Sequence, residues 1–284
     1  MKPFELLGRL GAFSRLTPEE VLAHPAWSLP VAWGGGVATL RADGLVPAEA
    51  VLLKVRLGRG DGVLALSPNP AMPDFSRLFP VRGEVPDALM LAVIEREAGD
   101  VFQVVENATR QELAVTGMAG EGESLPSSFR AFRIVTGGDA IPFGLTLPTE
   151  TVADFGDLRY LDASHESIAG MSMPVEIEAA VFALEQGELD SLAQGDMLLL
   201  PELSSGAMEG RVTLAELADA TRCRVVAAGR EEMPLGDWMA GGGALTRSFS
   251  EGDQLELVLA GRRLAAGRLS RLGGQRAFAL ETIG

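Results

Sequence analysis

A repeat near the C-terminus constrains this chain more than any other feature. Gln194-Gly195-Asp196 followed by Met197-Leu198-Leu199-Leu200 is matched by Glu251-Gly252-Asp253 followed by Gln254-Leu255-Glu256-Leu257. Each copy reads as an acid or amide, Gly, Asp, then Leu-x-Leu. Gly210-Arg211-Val212 is matched by Gly267-Arg268-Leu269 at the same spacing, since 210 − 195 = 15 and 267 − 252 = 15. Upstream, Met173-Pro174-Val175 corresponds to Met233-Pro234-Leu235. A tandem duplication with a period near 57 residues (252 − 195) sets the architecture before any single element is assigned.

The second copy shows what one unit contains. Leu255, Leu257 and Leu259 alternate with Gln254, Glu256 and Val258, the period of a strand with one buried face. Ala260-Gly261 and Gly273-Gly274 supply two tight turns, where glycine reaches positive φ without a steric penalty. Phe278 and Leu280 then share one side of a last strand. A β unit of about 55 residues buries too little surface to be stable alone, and its edge strands need a partner. Two such units solve the problem by packing on each other, within one chain or between chains.

The Pro-Val start, the leucine-rich segment closing on Gly-Asp, and Gly261-Arg262-Arg263-Leu264-Ala265-Ala266-Gly267-Arg268-Leu269 before a final apolar strand resemble the SpoA (surface presentation of antigens) domain. That domain ends flagellar motor-switch proteins and the cytoplasmic-ring, or sorting-platform, proteins of type III secretion systems. The likeness covers Met233 to Gly284 best, Ser172 to Gly229 less well, and little before that. Two departures stand out. Gly241-Gly242-Gly243 interrupts a leucine-rich run, and the first unit takes 14 residues from Gly210 to Arg224 (224 − 210) where the second takes 9 from Gly267 to Arg276 (276 − 267). The resemblance implies intertwined SpoA pairs, with Leu198, Leu200, Leu255, Leu257, Leu264 and Phe278 as the pairing core. Gly195, Gly210, Gly252 and Gly267 are the expected turn glycines.

Composition narrows the class. Hydrophobic residues make up 47% and charged residues 22%, which supports a packed core. The formal net charge is −15 and the lysines are Lys2 and Lys54 alone, a poor footprint for nucleic acid or anionic lipid. The sequence holds no run of apolar residues long enough to span a bilayer. The opening Met1 to Leu10 lacks the apolar core of a signal peptide. A single cysteine, Cys223, fits a reducing compartment. From Ser172 to Glu232 twelve acids stand against four arginines, and from Met233 to Gly284 five against six. Complementary fields favour pairing of unlike units; free drift of surface charge explains the difference equally well.

The region before the repeats reads as α+β. Phe4, Leu7, Leu10 and Phe13 form a helical stripe, and Thr17-Pro18-Glu19-Glu20 starts a second helix with a capping hydroxyl, proline and acids. Strands are expected at 29–33, 37–40, 51–57, 62–66, 129–135 and 141–147, with a turn at Thr136-Gly137-Gly138-Asp139. Pro86 to Gln111 is the main helix, bent at Gly99, and Thr149 to Phe155 a short one. Asp154 to Met171 is the expected linker. Three domains follow: 1–165, 172–230 and 232–284.

Catalytic chemistry finds little support. His24 and His165 are far apart, and neither lies in a metal or nucleophile pattern. Arg222 and Arg224 flank Cys223 and would lower its pKa, although a cysteine on a strand is more often structural. We therefore expect no catalytic residues, metal or cofactor. The resemblance implies a cytoplasmic scaffold at the inner-membrane face of a type III secretion apparatus. Its partners would be its own SpoA units, the ATPase stator or peripheral-stalk protein, a ring-base adaptor and chaperone-effector complexes. An internally initiated C-terminal product, starting at Met171, Met173 or Met233, is also implied. A flagellar motor-switch component is the alternative, and an uncharacterised hydrolase the third reading.

Overall fold

The computed structural model describes every residue except 1, 43, 45–48, 71, 121–124, 138, 202–208 and 242–244. Gly138, Gly242 and Gly243 of the glycine runs above fall outside the described residues. The fold is α+β, and the chain packs as two compact units: Met1–Gly8 with Ala12–Asp162, and Arg9–Gly11 with Ala163–Gly284.

The first unit carries strands β1 (Ser28–Trp33), β2 (Gly36–Arg41), β3 (Val51–Leu57), β4 (Gly60–Leu66), β5 (Leu113–Met118), β6 (Phe129–Val135) and β7 (Ala140–Thr146). They form one sheet in the order β1-β2-β6-β7-β4-β3-β5. β5 carries the weakest apolar alternation, Leu-Ala-Val-Thr-Gly-Met, and only its pairing with β3 makes it a strand. The expected long helix is two, Asp87–Glu97 and Gly99–Thr109, broken where Ala98 leaves helical geometry at φ −89°, ψ 8°. Trp27 lies against Phe132, Phe155 and Tyr160 and donates from Nε1 to the Phe155 carbonyl at 2.8 Å. Thr17 and Glu20 cap the helix Pro18–Leu22 reciprocally, each accepting the other's backbone N–H.

Two expectations here are corrected. The N-terminal helix covers only Pro3–Leu7, and Phe4 is exposed while Leu6 and Leu7 are buried, because the chain turns at Gly8 before the stripe completes. The segment 154–171 contains the division between the two units, as expected of a linker, but it is packed rather than open. Leu161 bridges Trp27, Leu161, Ala163 and Ile168 are buried, and residues 166–169 form a short helix.

The second unit carries β8 (Ser172–Phe182), β9 (Met197–Leu199), β10 (Glu209–Leu214), β11 (Cys223–Ala227), β12 (Glu231–Pro234), β13 (Thr246–Ser248), β14 (Gln254–Leu259), β15 (Arg262–Leu272) and β16 (Gln275–Ile283). All belong to one sheet in the order β13-β10-β8-β11-β14-β15-β16-β9, with β12 also paired to β8. Strands of residues 172–230 and of 232–284 thus share a single sheet, with β13 of the second repeat at one edge and β9 of the first at the other.

The hairpin joining β14 to β15 turns through Ala260 at φ 51° and Gly261 at φ 72°. Positive φ at both central residues is the turn that matches strand twist, and Ala260 adopts it against its Cβ. Ala260→Gly is expected to raise stability by about 0.5–1 kcal/mol, read as a higher urea midpoint at unchanged slope. An unchanged or lower midpoint would show that the turn carries no strain.

A pairing core built by strand exchange

The two Gly-Asp turns are copies of each other in space. Gly195 has φ 93° and Gly252 φ 94°. Asp196 accepts the Ala193 N–H on Oδ2 at 2.8 Å, and Asp253 accepts the Ser250 N–H in the same way at 2.8 Å. A side-chain carboxylate that bonds its own backbone three residues back fixes the turn, and the glycine supplies the φ that other residues resist.

From each turn the Leu-x-Leu strand departs, and each is covered by the last strand of the other repeat. β9 pairs with β16, Leu198 facing Phe278 and Leu199 facing Ala277. β14 pairs with β11, Leu257 facing Val225 and Leu255 facing Ala227. β10 of the first repeat also takes β13 of the second. The exchange is therefore made within one chain.

All six residues of the expected pairing core meet in one cluster. Leu200, Leu255, Leu257 and Phe278 are buried there with Ile177, Ala179, Val225 and Leu269, and Leu198 and Leu264 pack against it partly exposed. Leu259, half-buried at the end of β14, packs against the same cluster as the alternation predicts, while Val258 is buried on the opposite face, paired with Arg224.

Gly210 and Gly267 are not turn residues. They lie inside β10 and β15, and neither has a positive φ. What they allow is close approach. A Cβ at Gly210 would meet Phe249 Cε2 at 2.3 Å, and one at Gly267 would meet the Ala279 carbonyl oxygen at 1.9 Å. The equal spacing of fifteen residues remains; its cause is packing rather than turning.

The opposite face of β8 and β11 holds a buried charge cluster. Glu178, 3% exposed, accepts from Arg211 at 2.7 Å and from the Thr213 hydroxyl at 3.1 Å, and faces Arg224 Nη1 at 3.5 Å. Arg224 also pairs with Glu176. Neighbouring arginines do not activate Cys223. Burial pushes its thiol pKa up, with a backbone hydrogen bond from Leu184 opposing, because Arg224 points to the other face and is engaged by the two carboxylates.

On the face of β9, β16 and β15 away from the core, Leu199 and Leu272 are 52% and 48% exposed. Leu199 and Ser270 flank Ala277, and Leu272 faces Gln275, so all stand on that face. These two exposed leucines carried no signal in the sequence, because Leu199 reads as one more leucine of a core run.

Sites with catalytic geometry are sparse. His165 Nδ1 meets Ser167 Oγ at 2.8 Å and accepts the Ser167 N–H at 3.2 Å, which makes it the cap of the helix Glu166–Ala169. A cleft of about 370 Å³ in the first unit is lined by Asn107, Arg110, Thr151, Asp154, Arg159 and Tyr160, with neither histidine nor cysteine. Among the described residues, no group of three or more His, Cys, Asp or Glu is placed to hold a metal ion. No described helix is long and apolar enough to cross a membrane. No family model matches the chain, and no curated protein matches it in sequence.

Proposed function

We propose that this chain is a non-catalytic scaffold subunit of the cytoplasmic ring of a type III protein secretion system. The observation that carries the reading is the exchange of last strands between two tandem repeats, the arrangement expected of paired SpoA units. Pairing within the chain leaves each molecule with one finished sheet, which suits a subunit that is repeated around a ring. The exposed pair of Leu199 and Leu272 is the surface we assign to the ATPase stator, since an apolar patch kept on a finished sheet marks an interaction site. Chaperone-effector complexes and a ring-base adaptor would be recruited by the same assembly through other surfaces.

The test is a complementation in the native cell. The gene is deleted and replaced by wild type or by Leu199→Asp with Leu272→Asp, and secretion, motility and stator co-purification are followed. Wild type should restore secretion and bind the stator; the double variant should stay folded, lose stator binding at least about tenfold, and fail to secrete. Loss of motility with intact secretion would move the assignment to a flagellar switch. Loss of neither would overturn both.

A further inference from the structure

Arg276 stands where the repeat calls for a core aliphatic residue. Leu200 and Leu257 are equivalent (257 − 200 = 57). Val225 faces Leu257, and Arg276 faces Leu200, whose N–H it accepts on its carbonyl at 2.9 Å. Val225 is fully buried in the core cluster; Arg276, on the same side of β16 as Phe278, is 7% exposed. The structural counterpart of Arg276 is thus Val225 and not Arg224, which points to the other face. The Arg276 guanidinium reaches β8 and donates from Nη2 to the Ala179 carbonyl at 3.0 Å, while Nε and Nη1 have no hydrogen-bond partner among the described residues. Burial holds its pKa below the ordinary arginine value.

The acceptor lies at a bulge: Ala180 pairs with Val225 and Glu178 with Val226, so Ala179 is the extra residue where the β8–β11 pairing is disrupted. The second repeat offers nothing equivalent. On the Met173-to-Met233 alignment, Ala179 corresponds to Met239 (179 + 60), which lies in the helix Leu235–Ala240, where its carbonyl accepts the Gly241 N–H.

We infer that Arg276 selects the pairing partner: its buried guanidinium is tolerated only against the bulged β8 of a first repeat, which discourages two second repeats from pairing with each other. The physical reason is the asymmetry of burial. One acceptor makes the site bearable, whereas in a pair of second repeats the same cation would be buried with none. The residue acts by excluding the wrong assembly, at some expense in the stability of the right one. The inference rests on the repeats and their register, and stands whatever apparatus the chain serves.

A cross-link distinguishes the two pairings. Gln254 and Ala279 flank Arg268 on β14 and β16, so within one chain they are two strand spacings apart, about 10 Å. That exceeds disulfide reach. In a pair of second repeats, Gln254 of one chain would face Ala279 of the other, as Met197 faces Ala279 here. The full chain carrying Cys223→Ala, Gln254→Cys and Ala279→Cys is unfolded, refolded at high concentration and oxidised, with Arg276 intact or replaced by valine or methionine. The intact chain should remain an uncross-linked monomer. Arg276→Val and Arg276→Met should each raise the disulfide-linked dimer about tenfold. Refolding of both variants to monomer alone overturns the inference. So does a dimer without the cross-link, which would be reciprocal exchange of the existing pairing, and so does failure of both variants to fold, which would make the guanidinium a support of the fold.

Discussion

Replacing Leu257 by aspartate is expected to unfold the second unit. Leu257 is fully buried between β11 and β15, facing Val225 on one side and Ala265 on the other. The substitution removes a core side chain and places a carboxylate among apolar neighbours, with Val225 and Ala265 opposite it. Deleting a buried leucine side chain alone costs about 2–5 kcal/mol. Burying the carboxylate adds several more, and the sum matches the whole stability of a domain, about 5–15 kcal/mol. Limited proteolysis reads the result. Residues 163–284 should become protease-sensitive, while Glu256→Gln, half-buried on the neighbouring position, should leave them resistant. Resistance in the aspartate variant would mean that the six-residue cluster is not what holds the repeats together.

Gly267→Ala is the second large effect, and it separates two kinds of glycine. At Gly267 the added Cβ would lie 1.9 Å from the Ala279 carbonyl oxygen and 3.0 Å from Phe278 Cε2. The obstacle at 1.9 Å is backbone, so relief requires β15 and β16 to part at the bulge between Ala266 and Gly267. A loss of about 3 kcal/mol is expected. At Gly252 the φ is 94° but the space around a Cβ is open, so Gly252→Ala should cost about 1–2 kcal/mol through backbone strain alone. Urea unfolding of the two variants gives the order directly. A smaller loss at Gly267 than at Gly252 would show that the strands accommodate the methyl group.

Much of the second unit was legible because its signals are local. Gly-Asp before Leu-x-Leu specifies a positive-φ turn and an alternating strand, and both copies of the turn have that geometry. The two hairpin turns at Ala260-Gly261 and Gly273-Gly274 are local in the same sense. In the first unit, β5 was not legible, because it depends on its neighbour in the sheet, whereas the break at Ala98 was marked by Gly99 beside it. The exposed pair was hidden for a similar reason, since a leucine does not announce which face of a strand meets solvent.

The sequence by itself determined that two like units occur, where their turns fall and which residues alternate along the strands, because these depend on residue type and short-range spacing. Only the tertiary structure decided that the units complete each other within one chain. It also decided that Gly210 and Gly267 serve close approach rather than turning. It turned Arg276 to the core face and Arg224 to the buried charge cluster on the opposite face, though both begin the body of a last strand. Each of those outcomes depends on register, and register is a relation between strands distant in sequence: a slip of one residue exchanges the two faces, and no local propensity detects it.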